Sequence, residues 1–196
     1  MSSKSSIIQA KKPKILWLNL LVFSSTFLVT VIGVPLYAYM EGFELSTIIA
    51  AIAVLSFCEL SITAGYHRLW SHKTYQAHWS LRFIFALGGA FALQNSILHW
   101  SSDHRIHHKH VDNNDKDPYS AKMGFWYSHI GWMCREYQAN RYHDYNNVRD
   151  LQKDKIVMWR HKYYLILTIG MNFGVPIAFG LWHGDLINSL LLVGFL

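Results

Sequence analysis

The chain has 196 residues, of which 52% are hydrophobic, 15% aromatic and 15% charged, with a formal net charge of +6. That length holds one domain, and so few charges set against so much apolar surface exclude an ordinary soluble protein. The excess of positive charge raises the possibility of a nucleic-acid partner, which the placement of the lysines and arginines removes.

Residues 1–12, MSSKSSIIQAKK, form a short polar tail, expected to be mobile. Residues 15–40 carry no charge over 26 positions, whereas a spanning helix needs about 20 apolar residues. The run is too long for the core of a signal peptide, and no small-residue cleavage site follows it, so it is read as a retained span. Pro35 lies near its far end, where neighbouring helices tolerate a kink. A second span is predicted at 45–66, interrupted only by Glu59, and the short turn EGFE (41–44) makes the two a helical hairpin. An ionisable residue inside a span is a functional candidate by default.

Residues 79–100, WSLRFIFALGGAFALQNSILHW, have span-like hydropathy despite Arg82 and Gln94. A single crossing there would put the histidines at 67–72 and at 104–108 on opposite sides of the membrane. The stretch is therefore expected to be a buried or partly embedded helix that does not traverse, with Gly88 and Gly89 allowing a bend or a close helix contact. A third span is predicted at 163–183. A fourth apolar run, 186–196, offers about two to three helical turns and reads as an element cut off midway. The expectation is an all-α membrane protein with four transmembrane helices, the fourth cut short, and a helical cap over about 67–162.

Four of the 18 lysines and arginines, Lys4, Lys11, Lys12 and Lys14, precede the first span, and the other fourteen lie between Arg68 and Lys162. Cytoplasmic flanks carry the positive excess, so the N-terminus and the cap are predicted to be cytoplasmic. This topology accounts for the basic balance and leaves no role for nucleic acid. The same excess suits an anionic head group or an acidic redox partner. Cys58 and Cys134 have neither disulfide nor metal spacing.

Eleven of the twelve histidines fall in the cap. In HRIHH, His104 lies three residues before His107 and four before His108, so all three project from one helical face. Converging neutral imidazoles suit iron, zinc, copper or nickel, whereas magnesium and calcium prefer oxygen. In HRLWSH, His67 and His72 are separated by about 140° on an ideal helix. Both can serve one site only if the helix ends there; otherwise they address different metals. His110 and His129 are candidates to support ligands, while His78, His99, His143, His161 and His183 read as surface or hydrogen-bonding residues. The run DNNDKDPYS lacks the central glycine and terminal glutamate of a calcium loop and reads as a turn-rich connection.

Taken together, GYHRLWSH, then QNSILHW, then DHRIHHKHVDNNDKDPYSAKMGFWYSHIGWM closely resemble the membrane-bound fatty acyl desaturases of the stearoyl-CoA (delta-9) type. The resemblance implies a fold of four transmembrane helices under a cytoplasmic cap, with His67, His72, His104, His107 and His108 as ligands of two Fe2+ ions and zinc as an adventitious substitute. It implies that Gln94, Asn95 and Trp100 shape a bent acyl tunnel, that Asn95 and Asp103 lie towards its CoA end, and that Arg135 lies near a basic CoA contact. Glu59 then either limits chain length at the tunnel's closed end or hydrogen-bonds a neighbouring helix. The partners implied are fatty acyl-CoA or another acyl carrier, O2, a cytochrome b5-type or ferredoxin-type electron donor, and the lipid bilayer. Two departures stand out. Ser102 replaces the arginine that animal enzymes carry before DHR, which opens an acyl-lipid or acyl-carrier substrate. The family's third histidine box also falls beyond the sequence, so a catalytically incomplete metal-binding fragment and a hydroxylase of the same superfamily are the alternatives.

Overall fold

The structure, a computed structural model, describes residues 13–138 and 145–195; the polar tail 1–12 and His143 lie outside them. After a two-residue strand β1 (Lys14–Ile15) come α1 (Trp17–Met40) and α2 (Leu45–Ser71), joined by the predicted short turn. α3 (Trp79–Phe91), α4 (Ile97–His110), α5 (residues 125–134), strand β2 (Arg135–Glu136) and α6 (Lys155–Lys162) build the cap. α7 (Tyr164–His183) and α8 (residues 186–194) close the described chain.

Among the described residues three helices, α1, α2 and α7, are long and apolar enough to cross a membrane. Their outer faces carry exposed Trp17, Leu21, Phe27, Ile52, Leu55, Ile166 and Leu181, as lipid contact requires. Helical winding satisfies the backbone along them internally, apart from the helix ends and the carbonyls that Pro35 and Pro176, lacking an N–H, leave without a donor. The fourth apolar run forms α8, folded back on α7: Ser189 Oγ donates to the Pro176 carbonyl at 2.6 Å, and Asp185 Oδ1 caps the helix by accepting from Asn188 N at 2.9 Å. A Cβ on Gly180 would lie 2.8 Å from Leu186 Cα, so glycine is what allows the two to approach. At this end His183 Nε2 lies 2.6 Å from Ser46 Oγ and 3.2 Å from Glu44, tying the α1–α2 turn to the α7–α8 turn.

α2 runs past the predicted boundary at 66 to Ser71, and its last eleven residues, Ser61–Ser71, include π-type winding with hydrogen bonds from residue i+5 to residue i. The stretch 79–100 folds as two helices. α3 ends at a turn where Leu93 and Asn95 adopt positive φ (56° and 64°), and Ser96 then caps α4 by accepting from His99 N. α3 is embedded between the spans: Gly88 faces Phe57 and Ser61, Gly89 faces Tyr66, and Asn172 of α7 donates to the Ala90 carbonyl at 3.1 Å. The chain thus enters and returns on the same side, as the histidine argument required. A buried cluster of Tyr66, Leu69, Trp70, Ala86, Ile97, Leu98, Val148, Leu151 and Val157 seats the cap on the end of α2. The only strands among the described residues are the antiparallel pair β1–β2, Lys14 opposite Glu136 and Ile15 opposite Arg135.

Candidate metal centre

His67 and His72 come together because α2 is not an α-helix where they stand. His72 N donates to the His67 carbonyl at 3.0 Å, a contact five residues long that places His72 above His67, and their rings sit 4.5 Å apart. The helix also ends at this point, so the condition set by the spacing is met. α4 brings in the second pair. His72 Nε2 lies 3.0 Å and His108 Nε2 3.1 Å from His104 Nε2. One nitrogen of each of His67, His72, His104 and His108 falls within 4.8 Å of the others.

Hydrogen bonding alone cannot satisfy this group. A neutral imidazole nitrogen is one donor or one acceptor, yet His104 Nε2 faces two others. A cation with metal–nitrogen bonds of about 2.1 Å would place neighbouring ligand nitrogens roughly 3 Å apart, which matches both spacings. Burial, then the neighbouring His108, His67, His72 and His107, push the His104 pKa down to about 3, and burial followed by His67, His108 and Arg105 also lowers that of His72. His72 and His104 are therefore neutral near pH 7, with lone pairs free to bind. The donor set fits a borderline transition metal such as iron or zinc.

His107 stands outside the four-nitrogen group, its ring centred 5.6 Å from that of His108. Its Nδ1 is 2.8 Å from Oδ1 of the fully buried Asp117, leaving Nε2 as the nitrogen open to a metal. Asp117 is held in turn by the backbone N–H groups of Asp112 and Tyr119. Its role was hidden in what read as a plain connection; the signal was an acid followed by proline ten residues after a histidine of the cluster.

Arg105 also went unread in the sequence. From the flank of α4 it donates to the Trp70 and Ser71 carbonyls at 2.9 and 3.1 Å, capping the end of α2, and to both oxygens of Asp150 at 2.8 and 3.1 Å. It thereby clamps the helix carrying His67 and His72 to the one carrying His104 and His108. Burial alone would raise the Asp150 carboxyl, but hydrogen bonds from Arg105 and Lys73 outweigh it and hold that group well below the usual carboxylate range.

Of the other predicted residues, Trp100 stacks on His104 with ring centroids 4.7 Å apart, and its Nε1 donates to Gln94 Oε1 at 3.0 Å. Asn95 sits in the same turn, its side chain accepting from Ser96 N and its carbonyl accepting from the fully buried Arg160 at 3.3 Å. Asp103 is buried, 3.6 Å from His99 Nε2. Arg135 donates to the Pro13 carbonyl at 3.2 Å, beside the start of α1. His129 is exposed and stacks on Phe125 at 4.8 Å, which gives it no supporting contact to the cluster. Glu59 lies on the exposed outer face of α2, and its carboxylate makes no hydrogen bond or ion pair among the described residues.

Comparison with known proteins agrees with this geometry. A sequence model of the fatty acid desaturase family matches residues 45–196. Similar proteins include the "Probable acyl-CoA desaturase" of Schizosaccharomyces pombe, 41% identical over 86% of this chain and 34% of its own length. Two from Acheta domesticus, an "Acyl-CoA Delta-9 desaturase" and an "Acyl-CoA Delta12-desaturase", are each 37% identical, over 86% and 90% of this chain and 48% and 50% of theirs. The chain thus spans a third to a half of the length of these relatives. With its non-crossing α3–α4 turn, its two histidine pairs meeting at the end of α2 and a family match over most of its residues, the chain belongs to the fatty acid desaturase family.

Proposed function

We propose that this chain carries the first two histidine clusters of an O2-dependent fatty acyl desaturase acting on a long-chain acyl thioester at a di-iron centre, with delta-9 regiochemistry. The observation that supports it most is the convergence of four imidazole nitrogens within 4.8 Å beneath Trp100. The reaction removes one hydrogen from each of two adjacent methylenes; O2 is reduced to two waters by those hydrogens together with two electrons and two protons. A cytochrome b5-type or ferredoxin-type donor would supply the electrons at the cap, which in this reading faces the cytoplasm.

Unactivated C–H bonds lie beyond side-chain acid–base chemistry; two ferrous ions held by these histidines would supply the redox chemistry that activates O2 as the oxidant. The chain's own residues hold and orient. His67, His72, His104 and His108 present their ring nitrogens to one point, and Asp117 fixes the His107 tautomer. Arg105 fixes the spacing of the two helices, and the Trp100–Gln94 pair sets the wall along which the acyl chain lies. Asn95, Asp103 and Arg135 are the proposed contacts towards the CoA end. Zinc would compete for the same nitrogens on purification, since imidazole does not reject it by affinity.

An acyl-lipid or other acyl-carrier substrate is the second reading of the head group, and Ser102 favours it. Ser102 is buried, donates to Asn147 Oδ1 at 2.9 Å and offers no cation for a CoA phosphate. The gene encoding this chain should be expressed in a host lacking its own desaturase, and the acyl products and their carriers analysed by mass spectrometry. A cis-unsaturated thioester product, lost in His104→Ala together with bound iron, is expected. A hydroxylated product, or unsaturation that survives His104→Ala, would overturn the reading.

A further inference from the structure

α5 is apolar on two opposite sides. Its inner side is covered by protein: Trp132 packs on Tyr119 with ring centroids 5.1 Å apart, and Tyr127 Oη donates to the Pro118 carbonyl at 3.2 Å. Among the described residues its outer side is uncovered, with Phe125 64%, Trp126 76% and Ile130 40% exposed and Met123 just before it at 45%. A helix apolar on two opposite sides needs a cover on both.

The height of α5 is fixed by its C-terminal end. β2 follows directly and pairs with β1, which immediately precedes α1. Leu16 N donates to the Cys134 carbonyl at 2.9 Å, and Asn19 Nδ2 donates to the Met133 carbonyl at 2.7 Å. The end of α5 therefore lies level with the first turn of a span whose own Trp17 and Leu18 are exposed. The bare face is continuous with the lipid-facing surface of α1, at the depth where tryptophan settles in membranes. Lys122 before the helix and Arg135 after it place a cation at each end, where a phosphate-rich headgroup layer would lie.

We infer that α5 is an in-plane membrane element, its Phe125, Trp126 and Ile130 seated in the cap-side leaflet of a phospholipid bilayer. Spin labels placed on the full chain in phosphatidylcholine–phosphatidylserine vesicles test this. Single cysteines would be introduced as Ile130→Cys and, separately, His129→Cys, with Cys58 and Cys134 replaced by alanine. Trp17→Cys serves as the lipid-facing reference and Lys153→Cys as the aqueous one. Collision with O2 should exceed collision with a water-soluble nickel chelate at both α5 positions, as at residue 17. The reverse ordering, as at residue 153, overturns the inference; so does low access to both reagents, which would mean that the face is covered by polypeptide. Carrying two labelled positions guards against one variant failing to fold, which far-UV circular dichroism of each reports.

Discussion

His104 is the hub of the cluster, because its Nε2 is the atom that both His72 and His108 approach. Its depressed pKa gives folding a pH dependence of known sign. The folded chain keeps this imidazole neutral down to about 3, while the unfolded chain takes up its proton near about 6.5. Below that higher value the unfolded state binds the extra proton, so the metal-free protein loses stability as pH falls through the window between the two. Thermal melts in detergent should therefore shift down between neutral pH and about pH 5, with a shallower slope in His104→Ala; equal slopes would contradict this account. At this scale the sequence was informative where chemistry is local. The spacing of His104, His107 and His108 on one helix could be read directly, and Asp117 left only the faint signal of an acid–proline pair ten residues on, whereas Arg105 could not be read, because its partners, the end of α2 and Asp150, are set by tertiary packing.

At the scale of elements, the fit of α3 between the spans rests on two adjacent glycines that face different neighbours. A Cβ on Gly89 would overlap the ring of Tyr66, which is fully buried and has nowhere to move. Gly89→Ala should destabilise the protein by roughly 1–3 kcal/mol, measured as a drop in the detergent melting midpoint. Because Tyr66 immediately precedes His67, metal affinity should weaken as well; an unchanged midpoint and unchanged affinity would show that α3 is free to shift. Hydropathy made the spans legible, and the requirement that the histidine clusters share one side made the α3–α4 return legible. The π winding of Ser61–Ser71 was not legible: periodicity rules assume the α-helical period, on which the five-residue spacing points the two histidines apart. Nor were the two apolar sides of α5 legible, since what covers each of them depends on where β1 and β2 hold it.

For the whole molecule, the arrangement predicts a two-sided map. The turns at 41–44 and 184–185 lie at the end opposite the histidines, tied by His183, Ser46 and Glu44, and the cap lies at the other. Single cysteines at Gly42 and Gly184 should react with an impermeant maleimide from one face of a sealed vesicle, and those at Lys122 and Lys153 from the other. In cells the cap positions are expected to be the protected ones, facing the cytoplasm; labelling of all four from one side would refute the three spans.

The division of the centre between two separate stretches of chain also sets an order of events during synthesis. A nascent chain that has delivered α1 and α2 to the bilayer holds only His67 and His72, at a helix end with no facing pair. The second pair arrives some thirty residues later, after α3 has been laid between the spans and the chain has turned back. Asp150, which receives the Arg105 clamp, comes later again. On the proposed reading, metal capture by the four imidazoles would be a late step in biogenesis, following completion of the cap rather than insertion of the first hairpin.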